Sequence, residues 1–202
     1  MPTITSSNKQ QTTIVAWVDT QVPGPVETIF YYGVLPSDLS GSYNGIYMNY
    51  NTSGYCNGGL FVVLYQTITC VYQATLPIQK WMMVAMEYDG QNAIGYAIIN
   101  GNVIAGSGAA TPATMPAGGG LLIATPWNGS IADVQQYSTA LSAGALKSLY
   151  LEGLGGAPID LPDLVGWWPL NGNINDYSGN NQMGAPMNSV YSGVWTSDYH
   201  YT

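Results

Sequence analysis

Short runs of apolar, β-branched and aromatic residues recur along most of the chain, and polar turn residues separate them. Such runs are typical of half-buried β-strands, and the Asp-Gly and Asn-Gly pairs between several of them suit tight hairpins. The pattern predicts an all-β fold, an antiparallel two-sheet sandwich or jelly roll. The predicted strands are Thr12–Asp19, Thr28–Val34, Gly45–Tyr50, Gly59–Tyr65, Thr67–Tyr72, Lys80–Tyr88, Ala93–Ile99, Asn102–Ala105, Gly120–Ala124 and Gly129–Tyr137.

One segment departs from this pattern and predicts a single short helix. In Leu141–Gly153 the apolar residues recur at helical spacing, Ser142 is placed to cap the first turn, and Gly153 is placed to end the last one. The segment Gly155–Pro162 follows. Its prolines and apolar residues indicate an ordered connection rather than a flexible linker.

Charged residues are scarce, and this excludes several classes of function. The chain has three Lys, no Arg and eleven Asp or Glu, and its net charge is −8. Only 7% of the residues are charged, whereas an average domain has about 25%. The basic surface that nucleic acids or anionic lipids require is missing, and no apolar run is long enough to enter a membrane. A neutral, Asn- and Tyr-rich surface suits an extracellular protein that meets sugars or associates with copies of itself.

The two cysteines leave two possibilities open. In an oxidising compartment Cys56 and Cys70 would pair across a short loop, and the disulfide would stabilise the fold by about 3 kcal/mol. The alternative is a pair of buried thiols that act as small apolar side chains.

Candidate catalytic groups are few. Glycoside hydrolysis needs two carboxylates that flank the scissile bond, and here only Glu87 and Asp89 lie close together in sequence before a turn. The only histidine, His200, is almost at the end of the chain, so neither a Ser-His-Asp triad nor a zinc site is expected. We therefore expect that the protein is not an enzyme.

Several motifs resemble those of the laminin G-like, concanavalin A-like jelly rolls. Trp81–Asn100 resembles the family's hairpin pair, W-x-x-V-A-x-x-Y-D-G followed by Y-x-N-G. Asn128–Tyr150 resembles its closing strand and helix, and Thr13–Asp19 resembles its T-I-x-A-W-V strand. Leu164–Gly184 resembles its opening motif, in which a W-x-x-x-G-N strand leads into D-x-S-G-N. The resemblance implies a concanavalin A-like jelly roll.

The opening motif lies at the carboxyl end of this chain, whereas in the family it precedes the T-I-x-A-W-V strand. We predict one domain over residues 1–202, in which 164–202 supplies the opening strands. The segment could complete its own domain, be donated to a neighbouring copy, or belong to a fragment of tandem repeats. Val165–Pro169 should lie beside Thr12–Asp19 or its sheet neighbours with at least one Trp ring buried, because an empty slot would expose a hydrophobic edge.

The resemblance also points to calcium as a cofactor. It implies Asp176 as a ligand, with Asn173, Ser178 and Asn181 nearby, and Asp133 as a further ligand. Carboxylate and amide oxygens are the ligands that Ca²⁺ prefers. The alternative is that Asp176 and Asn173 cap a turn, and that Asp133 accepts structural hydrogen bonds.

A sugar-binding surface needs exposed aromatic and amide side chains, and the candidates are Tyr43, Tyr55, Trp127 and Asn128. The alternative for the tyrosine-rich segment is that its side chains pack within a sheet. The favoured function is a non-catalytic binding or adhesion module of the concanavalin A-like lectin type, located outside the cell or at its surface, that recognises a glycan or a protein. The alternatives are a structural subunit of a surface filament or layer, and an accessory domain of a larger enzyme.

Overall fold

The structure is a computed structural model that describes residues 11–21, 27–34, 44–50, 56, 59–64, 67–107, 120–123 and 127–184. The first strands in these residues are β1 (Thr12–Thr20), β2 (Glu27–Val34), β3 (Asn44–Tyr50), β4 (Leu60–Leu64), β5 (Thr67–Tyr72) and β6 (Trp81–Tyr88). They are followed by β7 (Ala93–Ile99), β8 (Asn102–Ser107), β9 (Gly120–Ile123), β10 (Gly129–Tyr137), helix α1 (Ala143–Glu152), a 3₁₀ turn (Leu161–Asp163) and β11 (Leu164–Trp168).

The strands form two antiparallel sheets. Sheet A has the strand order β11-β10-β1-β6-β7-β8, and sheet B has the order β5-β4-β3-β2-β9. The predicted all-β jelly-roll sandwich with one short helix is confirmed. The ten predicted strands correspond to β1–β10 and differ from them only at the ends, because turn residues such as Gly90 and Gly101, both at positive φ, stop the strands where the sequence indicates.

The main core lies between the two sheets and contains alternate residues of each strand. Ile14, Ala16 and Val18 of β1 all point into it. The sheets approach closely at Gly95, where a Cβ atom would lie 2.3 Å from Val71 of the opposite sheet. Apolar burial on this scale is the main stabilising contribution to such a sandwich.

Helix α1 covers part of the outer face of sheet A. The Ser142 side chain accepts a hydrogen bond from the backbone N–H of Ala145, and Gly153 ends the helix at φ 83°, so both predicted caps are confirmed. Leu146 and Leu149 are buried against this face. In the described part of the chain no helix combines the length and hydropathy needed to span a membrane.

Strand β11 is one of the two edge strands of sheet A, and it pairs with β10, which in turn pairs with β1. Trp168 is 8% exposed and joins the main core. This agrees with the expected position of Val165–Pro169 and with the expected burial of at least one Trp ring. Whether β11 completes its own chain or a neighbouring one in solution stays a prediction.

A turn covers the free edge of β11. The backbone N–H of Tyr177 donates to the carbonyl oxygen of Trp167 at 2.7 Å, and the Asn180 side-chain amide donates to the carbonyl oxygen of Leu164 at 2.7 Å. These bonds occupy backbone groups that an edge strand would otherwise offer to another chain.

Candidate functional site

Three strands of sheet A carry a row of side chains across one end of its outer face. Asp19 of β1 is the register partner of both Trp81 of β6 and Ser130 of β10. Opposite residues in antiparallel strands have side chains on the same face, so these three are neighbours. The preceding outward-facing residue of β1, Trp17, stacks on Tyr150 of α1 with ring centroids 5.3 Å apart. The row of Asp19, Trp81 and Ser130 therefore begins at the point where α1 no longer covers sheet A.

We call this surface the ledge, and define it as Asp19, Gln21, Trp81, Asn128 and Ser130. Its aromatic member is Trp81, which is 38% exposed, whereas the rest of β6 is buried. A partly exposed indole on a rigid strand, beside carboxylate, amide and hydroxyl groups, can offer an apolar platform with hydrogen-bonding groups at its rim.

Asp19 gives the ledge its negative charge. Its Oδ2 atom accepts a hydrogen bond from the Gln21 side-chain amide at 3.3 Å. Its Oδ1 atom is buried and has no hydrogen-bond partner. Burial raises the pKa of this carboxyl above its ordinary value, although the backbone N–H of Lys80 and the Gln21 amide act in the opposite direction.

Two of the predicted ligand residues, Trp127 and Asn128, lie at the ledge. Asn128 is exposed, and its carbonyl oxygen accepts a hydrogen bond from the backbone N–H of Gln21 at 3.2 Å. Trp127 is half-buried against the main core, and its Nε1–H donates to the carbonyl oxygen of Ser130 at 3.3 Å. Trp127 therefore supports the strand that carries Ser130, and a sugar contact by either residue stays a prediction.

The other two predicted ligand residues, Tyr43 and Tyr55, lie outside the described residues. Sequence reasoning did not select Asp19, Gln21, Trp81 or Ser130 as binding residues. The sequence holds no signal that separates Trp81 from the rest of β6, because the residues that follow it are all buried and its exposure depends on where α1 ends.

Cys56 and Cys70 form a disulfide bond, with their Cα atoms 5.4 Å apart. The bond ties β5 to the connection between β3 and β4. In this arrangement the cysteines are a cross-link within sheet B rather than two separate thiols.

Asp176 lies in the turn that covers β11, and its carboxylate accepts four hydrogen bonds. The Oδ1 atom accepts from the backbone N–H of Trp167 at 3.0 Å and of Ser178 at 2.9 Å. The Oδ2 atom accepts from the Ser178 hydroxyl at 2.9 Å and the backbone N–H of Gln182 at 2.7 Å. Burial alone would raise the pKa of Asp176, but these donors outweigh it and hold the pKa below its ordinary value.

Asn173 and Asn181 are placed on either side of this turn. The Asn173 Oδ1 atom accepts from the backbone N–H of Asn175 at 2.9 Å, and its amide donates to the Tyr177 hydroxyl at 3.2 Å. Asn181 is exposed and has a positive φ of 56°. These contacts are those of the turn-capping alternative.

Asp133 lies on β10 under the connection to β11 and is 2% exposed. Its Oδ1 atom accepts from the Trp167 indole at 2.7 Å and from the Gln135 amide at 3.2 Å. Burial raises the pKa of Asp133, and the opposing hydrogen bonds from Trp167, Gln135 and the backbone N–H of Gly155 only partly compensate. Asp133 and Asp176 thus contact different parts of Trp167, the indole and the backbone.

The five predicted calcium ligands are poorly arranged to bind a cation. An ionised carboxylate has about four acceptor sites, and all those of Asp176 face N–H or O–H donors. Within the described ranges no three His, Cys, Asp or Glu side chains come together as a ligand group. Calcium binding by these residues stays a prediction.

A melting experiment tests the calcium prediction against turn capping. Asp176→Ala should lower the free energy of unfolding by about 1–2 kcal/mol, because it removes hydrogen bonds to a charged, partly exposed acceptor. Because the pKa of Asp176 is depressed, this contribution is present at neutral pH and is lost as the pH falls below about 4. If the carboxylate only caps the turn, EDTA should leave the wild-type melting temperature unchanged. A lower melting temperature with EDTA that added Ca²⁺ restores would support calcium instead.

Comparison with known proteins decides the family. A laminin G family model, described as the concanavalin A-like lectin/glucanases superfamily, matches residues 1–147. The chain belongs to the concanavalin A-like lectin/glucanase superfamily. The match ends within α1, so β11 and the turn that covers it lie beyond the matched residues. Comparison with curated protein sequences gives no match.

Solved structures of other proteins share the fold of this superfamily member. A proposed carbohydrate binding protein from Bacteroides ovatus is 18% identical, with a TM-score of 0.59 over 89% of this chain and 52% of its own. The chain thus spans about half the length of that protein. Domain 4 of AbnA, a GH43 extracellular arabinanase from Geobacillus stearothermophilus in complex with arabinotriose, is 16% identical, with a TM-score of 0.53 over 74% and 70% of the two chains. The Ruminococcus gnavus IT-sialidase CBM40 bound to α2,3 sialyllactose is 18% identical, with a TM-score of 0.50 over 69% and 82%.

The two carboxylates considered for hydrolysis both take part in structural hydrogen bonds in this superfamily member. Glu87 is 6% exposed and accepts from the Tyr96 hydroxyl at 2.8 Å. The Asp89 Oδ1 atom accepts hydrogen bonds from the backbone N–H groups of Gln91 and Asn92, both at 2.7 Å, within the β6–β7 turn. This turn is at the opposite end of β6 from Trp81, so neither carboxylate belongs to the ledge.

Proposed function

We propose that this chain is a non-catalytic carbohydrate-binding module that holds a glycan on the ledge. The observation that carries the proposal is the exposed indole of Trp81 in one row with Asp19 and Ser130. The C–H face of a sugar ring packs on an indole, and its hydroxyl groups bond to nearby carboxylate, amide and hydroxyl groups. Gln21 and Asn128 supply the amides.

Two further observations support a binding module. The superfamily includes lectins, and solved neighbours include a carbohydrate-binding module with a bound sugar. The carboxylates Glu87 and Asp89, the pair considered for hydrolysis, are engaged in a buried hydrogen bond and in a turn, so this pair is not placed to flank a glycosidic bond. An extracellular or cell-surface location is part of the proposal, because disulfides such as Cys56–Cys70 persist in oxidising compartments.

A panel of immobilised neutral, amino and acidic oligosaccharides tests this function, with Trp81→Ala as the variant. We expect Trp81→Ala to weaken binding at least about tenfold, since it removes the stacking platform. Its melting temperature should change little, because the side chain is more than one third exposed. The matched control is Tyr177→Ala, which removes an aromatic side chain that is 51% exposed on the far edge, beside β11. Wild-type affinity in Trp81→Ala, or an equal loss in Tyr177→Ala, would contradict the proposal.

A second candidate, the structural subunit, is favoured by exposed apolar side chains. Leu151 is 71% exposed and Leu161 is 66% exposed, on and after α1. Sedimentation velocity over a range of concentrations separates the two functions. A monomer that binds glycans supports the binding module, whereas ordered polymers without glycan binding support the subunit.

A further inference from the structure

The ledge sets a carboxylate directly beside an exposed indole. Asp19 and Trp81 are register partners in the β1–β6 pair, so their Cβ atoms are about 5 Å apart on one face. A small cation that rests against the indole is then within reach of the carboxylate. Taken with the proposed carbohydrate-binding function, on which the inference rests, this juxtaposition points to a positively charged group on the bound glycan.

The charge of Asp19 is only partly compensated within the protein. Its hydrogen-bond donors, the Gln21 amide and the backbone N–H of Lys80, are both neutral groups, and Oδ1 is buried without a partner. A buried or half-buried charge without a counter-ion is costly. A ligand that brings a positive charge to this position would lower that cost, and a ligand that brings a negative charge would raise it.

The rest of the ledge also favours a cation. The face of an indole attracts cations through the ring quadrupole. The net charge of the chain is −8, and it contains no Arg, the side chain that best recognises carboxylates. Acidic sugars therefore meet a repulsive surface and find no guanidinium to bind them.

We propose that the ledge selects glycans that carry a free, positively charged amino group, as oligomers of glucosamine do, over neutral and acidic glycans. In the bound state the ammonium group lies between the Asp19 carboxylate and the Trp81 ring. The sugar ring supplies the remaining contacts with Gln21 and Ser130.

Calorimetric titration with a matched pair of ligands tests the proposal. The β-1,4-linked glucosamine trimer and its N-acetylated form have the same ring skeleton and differ in charge at about pH 6, where such amines are protonated. We expect the free-amine trimer to bind about tenfold more tightly to the wild type, and added salt to reduce that preference. Asp19→Asn should lose most of this preference, since only the attraction of the ring and of the net charge remains, and Trp81→Ala should weaken the binding of both trimers. Propylamine, an amine without a sugar ring, should not compete.

The outcomes separate this inference from the proposed function. Equal or tighter binding of the N-acetylated trimer by the wild type would overturn the amine preference while leaving the binding module intact. Effective competition by propylamine would show a site for amines in general and would overturn the selection of glycans. Failure of every oligosaccharide in the panel would overturn the binding function itself. If Asp19→Asn does not fold, the ratio of the wild-type affinities for the two trimers, and the dependence of that ratio on salt, still test the amine preference.

Discussion

Ending the chain at Pro162 is expected to unfold the sandwich or to drive it into aggregates. The truncation removes β11, and with it Trp168 from the main core and Leu164 from the core beneath α1. Loss of one such side chain costs about 2–5 kcal/mol, and the total stability of a domain is about 5–15 kcal/mol. The edge of β10 that is paired with β11 would also be left open to other chains.

The matched control ends at Gly184, which keeps every described contact of β11 and of the turn that covers it. Circular dichroism melting and light scattering compare the two truncations with the full chain. A monomeric 1–162 chain that melts like the full chain would show that 164–202 is a separate appendage. If a peptide that spans 163–202 restores folding to the 1–162 chain, completion by this segment is established, and the mass of the full chain in solution tells self-completion from donation.

Replacement of Asp133 by Ala should destabilise the protein by about 3–5 kcal/mol. Asp133 is buried, and its carboxylate accepts from the Trp167 indole, the Gln135 amide and the backbone N–H of Gly155. Removing the acceptor leaves these donors unpaired in a buried site, which costs more than the bonds themselves contribute. Asp133 also has a φ of 50°, a conformation that Ala adopts less readily than Asp or Asn. Chemical denaturation measures the loss.

The control is Asp133→Asn, which keeps one acceptor oxygen and the tolerance for positive φ, and should cost less than Ala. It also tests the charge. Because burial raises the pKa of Asp133, the native state holds this proton at a higher pH than the unfolded chain does, so the contribution of Asp133 to stability falls as the pH rises above about 4. The stability advantage of the wild type over Asp133→Asn should therefore shrink as the pH rises. An advantage that grows with pH would contradict the raised pKa.

Local sequence signals were sufficient for most of the fold. The Ser142 cap and the Gly153 stop define α1, and hairpin residues such as Asn100 and Gly101 define the strand ends, because each acts through its own backbone conformation. The resemblance supplied the architecture and the expectation that Val165–Pro169 lies beside Thr12–Asp19 or its sheet neighbours, and that neighbour is β10.

The ledge could not be predicted in the same way because it depends on contacts between distant residues. The pairing of Asp19 with Trp81 requires the β1–β6 register, and the exposure of Trp81 depends on where α1 stops covering sheet A. Asp133 is another example. Its strand position and hydrogen-bonding role were foreseen. Its positive φ belongs to an irregularity of β10 opposite β1, where Val15 and Trp17 pair with Gln135 and Ala132, and its bond to Trp167 depends on the pairing of β11 with β10.

Nuclear magnetic resonance titration tests glycan binding at the ledge most directly. In a ¹⁵N-labelled sample, the Trp81 indole N–H and the backbone amides of Asp19, Gln21 and Ser130 should shift together as the tightest-binding oligosaccharide of the panel is added. The indole N–H of Trp168, which is buried in the core on the other side of sheet A, should not move. Shifts confined to residues away from the ledge, while Trp81 and its neighbours stay unchanged, would contradict binding at this surface.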